Sequence, residues 1–311
     1  MKKFINKALS IIGLDIRLNN IRFIHLRHIK KVHKIEAIEI LELPANAIVD
    51  GKIKAPEQVA QGLRAIIQRT NTENASACLA LPIQCVITKR IKLLKKLSIK
   101  QQIEEYMAKH FPGVSHDLCY DYTTLSDLSG EDNLYENILL VAARQEQLND
   151  YVKLVEQAGL RVKTVDVDIY ALARAVHFIL PKHSFLGVKG VLNIEFNSVL
   201  FIILRNDEVI YHSQWDYISS DSTYEKLKHA MQLYHSIYPY ALLNCLYVFD
   251  FQEKLNAFIS KIESTLHIKV KYFYFYQPQI AFSAGISFAR IKKNLEEMFI
   301  CYGLALRGIA K

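Results

Sequence analysis

A duplicated hairpin constrains the fold of this chain more than any other feature. Residues Gly13–Arg27 (GLDIRLNNIRFIHLR) align without gaps on Val191–Arg205 (VLNIEFNSVLFIILR), at an offset of 178. Ile16 and Ile194, Asn19 and Asn197, Phe23 and Phe201, Ile24 and Ile202, Leu26 and Leu204, and Arg27 and Arg205 match. Each copy reads as a strand, an asparagine-containing tight turn and a second strand. A third apolar-alternating segment follows a polar turn in each, Lys34–Leu43 and Glu208–Trp215. The pattern predicts two related lobes, each opening with a three-stranded meander. A chain of 311 residues has room for them, at roughly 150 residues per domain.

Between and after the copies the segments alternate. Val59, Leu63, Ile66 and Ile67 give Pro56–Arg69 a helical face. Ala77–Leu81 and Val86–Leu93 read as strands interrupted by Pro82, Ile99–His110 as a helix and Leu118–Leu125 as a strand. Ser126–Asn137 is a polar loop and Ile138–Ala142 a buried strand. Gln145–Ala158 is an amphipathic helix stopped at Gly159, where a left-handed cap belongs. Val165–Leu180 reads as one further helix, placed to bridge the lobes. Then come helices at Tyr224–Tyr238, Leu255–Leu266 and Leu295–Leu306, with strands at Cys245–Phe249 and Ile268–Phe275. The class is α/β.

Composition excludes several alternatives. The chain is 51% hydrophobic and 23% charged, ordinary for a globular protein with a sizeable core. No apolar run approaches the ~18–20 residues of a membrane-spanning helix. Asp15 closes the short apolar stretch Ala8–Leu14, and no cleavage-site pattern follows, so a secretory signal is not expected. Five widely spaced cysteines without a C-x-x-C pair fit a reducing compartment and no zinc site. The net charge of +8 is uneven: residues 1–100 hold 19 Lys/Arg against 7 Asp/Glu, a balance of +12. Such a region suits an anionic leaflet, an acidic partner or nucleic acid.

Recognised catalytic signatures are missing. There is no G-x-S-x-G, no G-x-x-x-x-G-K-[ST] and no H-E-x-x-H, and the eleven histidines are scattered. The repeat turns are the better candidates, because backbone N–H groups at strand-to-turn junctions hold phosphates. A backbone approaching a phosphate wants glycine, yet Arg17 follows two after Asp15 and Glu195 two after Asn193. Arg17 could pair with phosphate; Glu195 would repel it unless a metal screened the charge. The aromatic run Tyr272–Tyr276 could stack bases, but a sheet packed on both faces accounts for it.

Several segments together resemble the type IV pilus assembly protein PilM family, within the actin/FtsA-like superfamily. The densest stretch is Leu139–Arg144 (LLVAAR), leading to Asp150–Val152 (DYV), Ala158–Leu160 (AGL), Val165–Asp168 (VDVD) and Ala171–Ala175 (ALARA). Leu81-Pro82, Val86–Lys89 (VITK), Phe111-Pro112, Asp121-Tyr122, Leu204–Asn206 (LRN) and Tyr302–Arg307 (YGLALR) support it. The resemblance implies an actin-like (ribonuclease H-like) two-lobed α/β fold. Its N-terminal lobe would span 1–182, with an inserted subdomain at about 83–162, and its C-terminal lobe 187–311.

The departures from the family pattern concern nucleotide. Asp-Ile-Gly of the first phosphate hairpin becomes Asp15-Ile16-Arg17, and the second Asp-x-Gly becomes Asn193-Ile194-Glu195. A late Gly-Gly adenosine motif is replaced by Val248–Phe251 (VFDF). Asp15, Arg17, Asn19, Asn193 and Glu195 are thus expected to be remnant nucleotide-loop positions, with no catalysis, metal or bound cofactor. The alternative is a divergent site for ATP and magnesium built on Asp15. The resemblance further implies a cytoplasmic scaffold, peripheral at the inner membrane among other pilus assembly proteins. It would bind the cytoplasmic N-terminal segment of PilN through a groove in the N-terminal lobe. Lys89, Arg90, Lys92 and Lys95 are the first candidates for that contact; nucleic acid is not an expected partner.

Overall fold

The computed structural model describes residues 9–29, 32–125, 134–180, 187–195, 197–250, 256–272, 275, 280–284, 286 and 295–309. The basic residues at positions 2, 3 and 7, most of the 126–137 loop, Phe251 and three residues of the 272–276 aromatic run lie outside these.

The duplication extends well beyond the hairpin. The first copy is β1 (Leu9–Ile16), β2 (Asn20–Ile29) and β3 (Val32–Glu42), a meander of antiparallel neighbours. After a short ribbon, β4 (Ile48–Val49) with β5 (Lys52–Ile53), helix α1 (Pro56–Thr70) crosses over. It delivers β6 (Ser76–Leu81) parallel to β1, and β10 (Arg161–Val167) then adds parallel to β6. The second copy repeats this with β11 (Val188–Ile194), β12 (Ser198–Arg205) and β13 (Glu208–Asp216). Helix α5 (Ser220–Ile237), β14 (Leu243–Asp250), α6 (Asn256–Leu266) and β15 (Val270–Tyr272) follow. Both sheets therefore read third, second, first, fourth, fifth strand across.

Apolar residues on both faces of the central strands explain the packing, since a sheet covered on both sides buries nearly every position. On the outer face of the first sheet, Ile12, Leu14, Ile21 and Phe23 meet α1 and α3 (Gln145–Gln157). On the outer face of the second, Leu192, Phe201 and Ile203 meet α5 and α6. Between the sheets lie α4 (Asp168–Ile179) and α7 (Phe299–Ile309), in a shared core with Ile24 and Leu26 of one sheet and Leu200 and Ile202 of the other. Proline is tolerated at the start of α1, where its missing N–H would have no intrahelical partner, and Asn71 ends that helix in the left-handed region.

The inserted segment forms a third sheet with its own small core. β7 (Val86–Leu94), β9 (Tyr135–Arg144) and β8 (Leu118–Thr124) are antiparallel in that spatial order. Leu93, Ile138 and Leu140 pack under α2 (Ile99–His110) through Ile103 and Met107.

Two sequence expectations are corrected. Val165–Leu180 is not one helix: Arg161–Val167 is a strand, with Val165 opposite Leu79 and Val167 opposite Leu81, and α4 begins at Asp168. The C-terminal residues are also not confined to the second lobe. β16 (Ile280–Phe282) pairs parallel with β3, and α7 packs on β1, β6 and α4, because the apolar inner face of the first sheet needs a cover. The bridging role expected for the helix before the second hairpin is met by α4, which touches both sheets.

Candidate functional site

The two repeat turns face each other across a cleft of about 950 Å3 between the lobes. They close in the same way. Arg17 N–H donates to Asn20 O, and Glu195 N–H to Ser198 O, each at 2.8 Å. The Asn19 carbonyl accepts from Leu43 N–H at 2.7 Å, and its counterpart Asn197 from Tyr217 N–H at 3.1 Å. Arg17, Asn19, Asn197 and Glu195 line the cleft, while Asp15 and Asn193 sit beneath it, nearly or fully buried.

Side chains rather than open backbone occupy the turns. Arg17 Nε donates to Asp15 Oδ2 at 2.7 Å and its Nη1 to Asp168 Oδ2 at 3.1 Å. Asp168 is fixed from its other oxygen, which accepts the Ile83 and Ile169 N–H groups at 3.0 and 2.7 Å. Across the cleft, Glu195 accepts from Asn193 Nδ2 at 3.0 Å and from Ser198 Oγ at 3.2 Å. Arg22, from the first lobe, places Nη1 2.7 Å from Glu195 and Nη2 3.2 Å from Glu297.

The result is a buried lattice of four carboxylates around two guanidiniums. Burial works against the charge of Arg17, but Asp15, then Glu195 and Asp168, raise its pKa well above the ordinary value. Burial would likewise raise Glu195, yet Arg22 and Arg17 hold it down at about 2. For Asp168 burial prevails over Arg17 and lifts the carboxyl to about 6. Glu297 is also raised, by burial. Asp15 Oδ1 and Arg17 Nη2 have no hydrogen-bond partner. Among the described residues no group of three or more His, Cys, Asp or Glu side chains is arranged to hold a metal ion.

Arg22, Asp168 and Glu297 are the residues that sequence reasoning misses. Arg22 had a local signal: it lies directly opposite Asp15 in a strand otherwise apolar enough to be buried. Asp168 ends the VDVD stretch at a helix start, a place where carboxylates are favoured. Nothing local marks Glu297. At the expected adenosine position, Val248 and Phe249 are buried in β14.

A second concavity, of about 730 Å3, lies between the inserted sheet, the β10 edge of the first sheet and the β12–β13 turn. Five successive residues, Cys119–Thr123, line it, so the groove runs along the backbone edge of β8. Among the described residues β8 and β10 are each the outermost strand of their sheet. Val86, Leu139, Val141, Leu148, Val165 and Tyr170 supply the apolar wall. At its rim Asp166 is shared by Arg174 and Arg307, at 2.8 and 3.1 Å.

Strand alternation sorts the four basic residues expected to meet a partner. Arg90 pairs with Leu139 and faces the groove, donating to the Val209 carbonyl at 2.8 Å with Glu208 at 3.7 Å. Lys89 pairs with Leu140 and so points to the α2 side. Lys92 shares the face of Arg90 but lies beyond the groove, and Lys95 is in the following turn; both are exposed.

A family model described as type IV pilus assembly protein PilM matches residues 13–217, both hairpin copies included. The chain belongs to the PilM family. It is thus a type IV pilus assembly protein with an actin-like two-lobed fold. A structure titled "PilM-PilN type IV pilus biogenesis complex" is 18% identical at a TM-score of 0.79, covering 97% of this chain and 99% of that one. A Bacteroides thetaiotaomicron protein with an actin-like ATPase fold is 9% identical at 0.48, covering 88% and 94%. The ethanolamine utilization protein EutJ of Carboxydothermus hydrogenoformans is 11% identical at 0.48, covering 96% and 89%. Among the described residues no helix of this PilM-family chain is long and apolar enough to cross a membrane.

Proposed function

We propose that this PilM-family chain is a non-enzymatic scaffold that holds the cytoplasmic N-terminal segment of a PilN-type inner-membrane protein, with a cleft that takes no nucleotide. The groove carries the first half of the reading. An extended segment gains main-chain hydrogen bonds from an unpaired strand edge and specificity from alternate side chains seated in apolar pockets. The groove offers both, with β8 and β10 on its sides. A tethered partner would hold the chain at the cytoplasmic face of the inner membrane with the other assembly proteins.

The Arg17 clasp carries the second half. Its guanidinium stands between Asp15 and Asp168, and Glu195 is already committed to Arg22. A magnesium–triphosphate group would have to displace a buried ion pair and enter among four carboxylates, without glycines to bring backbone N–H groups close. The residues do not fit that ligand. The observations in favour of a divergent ATP site are the unpartnered Asp15 Oδ1 and Arg17 Nη2.

Calorimetric titration of the purified chain tests both halves, with the partner's cytoplasmic peptide and with ATP–magnesium separately. The peptide is expected to saturate, and Leu139→Glu, in the groove wall, to weaken it by at least about tenfold. ATP is expected to give no binding heat. Unchanged peptide affinity in Leu139→Glu removes the groove assignment, and saturable ATP binding restores the nucleotide site.

A further inference from the structure

We infer that the outer tip of the inserted sheet is a contact surface for an anionic lipid bilayer. The tip consists of the end of β7, the turn after it and the start of β9. Leu94 pairs with Tyr135, Lys95 N–H donates to the Leu134 carbonyl at 3.0 Å, and Leu97 N–H to the Leu94 carbonyl at 3.2 Å. Gln102 of α2 fastens the turn, accepting from Leu94 N–H at 2.9 Å and donating to the Leu94 carbonyl at 3.0 Å. This fixed turn presents carbon to solvent: Leu97 and Leu134 are 55% and 56% exposed, and Leu94 and Tyr135 37% and 39%. Scattered apolar side chains on a surface are ordinary; four on two paired segments at one tip form a patch.

The charge around the patch selects the occupant. Lys92, Lys95, Lys96 and Lys100 are exposed, and no acidic residue occurs from Lys92 to Lys100. Glu104 lies 3.9 Å from Lys100, and Glu136 accepts from Thr124 Oγ1 at 3.1 Å. Described carboxylates thus border the lysines on the α2 and β9 sides, while the turn itself carries only positive charge. Lysine lays its alkyl stem along an apolar boundary while its ammonium meets phosphate, and leucines beside it enter the acyl edge. Single-stranded nucleic acid would instead be met with aromatic and arginine stacking surfaces, and aliphatic leucines would gain nothing from its backbone. Lys92 and Leu94 lie on the groove face of β7, so the patch adjoins the groove opening. The surface nevertheless stands independently of the peptide reading, because lipid contact needs no partner protein.

Flotation of the full chain with protein-free vesicles tests this. Vesicles of phosphatidylglycerol and phosphatidylcholine in equal parts are expected to bind it, vesicles of phosphatidylcholine alone not to, and added salt to weaken the binding. One lysine near an anionic surface is worth about fivefold, so Lys95→Glu with Lys96→Glu should lower affinity by more than about tenfold. Leu97→Ser should lower it several-fold with the charge unchanged. The same charge change on the second lobe, Lys228→Glu with Lys269→Glu, should cost no more than about twofold. Absence of binding to the anionic vesicles, or equal losses from the two lysine pairs, overturns the inference. Tighter retention on single-stranded DNA than on vesicles through the same lysines also overturns it.

Discussion

Arg22 and Glu195 join the two lobes through a 2.7 Å ion pair whose side chains are 3% and 6% exposed. The contact connects the second strand of the first copy to the turn of the second, where two lobes could otherwise separate. Glu195→Gln leaves Arg22 buried with only the more distant Asp15 and Glu297 for charge compensation. Removing one partner of a buried pair costs about 3–5 kcal/mol, and urea unfolding of the variant should show a loss of that order.

The same pair sets an acid limit. Glu195 titrates at about 2 in the folded chain against an ordinary 4.5. Its contribution is therefore complete above 4.5 and lost as pH falls through 2. The stability gap between the parent and Glu195→Gln should be constant near neutrality and close between those values. A gap that persists at pH 2 would contradict the assignment.

His33 gives a second window, higher on the scale. Burial, and then the neighbouring His28, lower its pKa from 6.5 to about 4, and its Nδ1 lies 2.8 Å from the Tyr302 hydroxyl. The unfolded chain binds more protons than the folded one between these values. Stability from this group is full above 6.5 and declines as pH falls through 4. In His33→Gln the unfolding midpoint should vary less steeply over that range.

Two glycines seat α7. A Cβ at Gly13 would lie 1.8 Å from the Cys301 carbonyl, and one at Gly303 1.8 Å from the Ala171 carbonyl. Backbone cannot yield as a side chain does, so Gly13→Ala or Gly303→Ala should each cost about 3 kcal/mol or more. Gly62→Ala is the contrast: its Cβ meets the movable end of Leu41 inside α1, where alanine is the better helix former. Thermal unfolding of the three variants ranks them.

The inserted sheet has a separate core, and Ile103 is fully buried in it. Ile103→Ala should cost about 2–4 kcal/mol and appear first in hydrogen exchange of β7, β8 and β9. Exchange of β1 and β11 should change far less.

Local pattern reveals what local pattern determines. Both hairpins, both third strands and helices such as Pro56–Thr70 are legible because their periodicity is contained in ten to fifteen residues. The strand Arg161–Val167 is not, since its valines prolong the apolar stripe of α4 and its partner β6 is about eighty residues away. The same holds for Ile280–Phe282, three residues paired to β3 from the far end of the chain. At the cleft, the turns mark Asp15, Arg17 and Glu195 as important positions. Whether Arg17 reaches outward to phosphate or inward to Asp168 depends on a residue 151 positions away. The groove is still less visible, because it is a space between three sheets and no stretch of sequence encodes it alone.

The return of α7 to the first sheet has a consequence for biosynthesis. All five strands of that sheet from β1 to β10 are synthesised by residue 167, a little past the midpoint of translation. The part of their inner side that α7 covers, with Ile11 and Cys78, nevertheless stays uncovered until residues near 300 emerge. The lobe that starts first is thus among the last to mature. A nascent polypeptide halted before Phe299 would carry an oily, partly uncapped layer, the kind of surface that promotes aggregation.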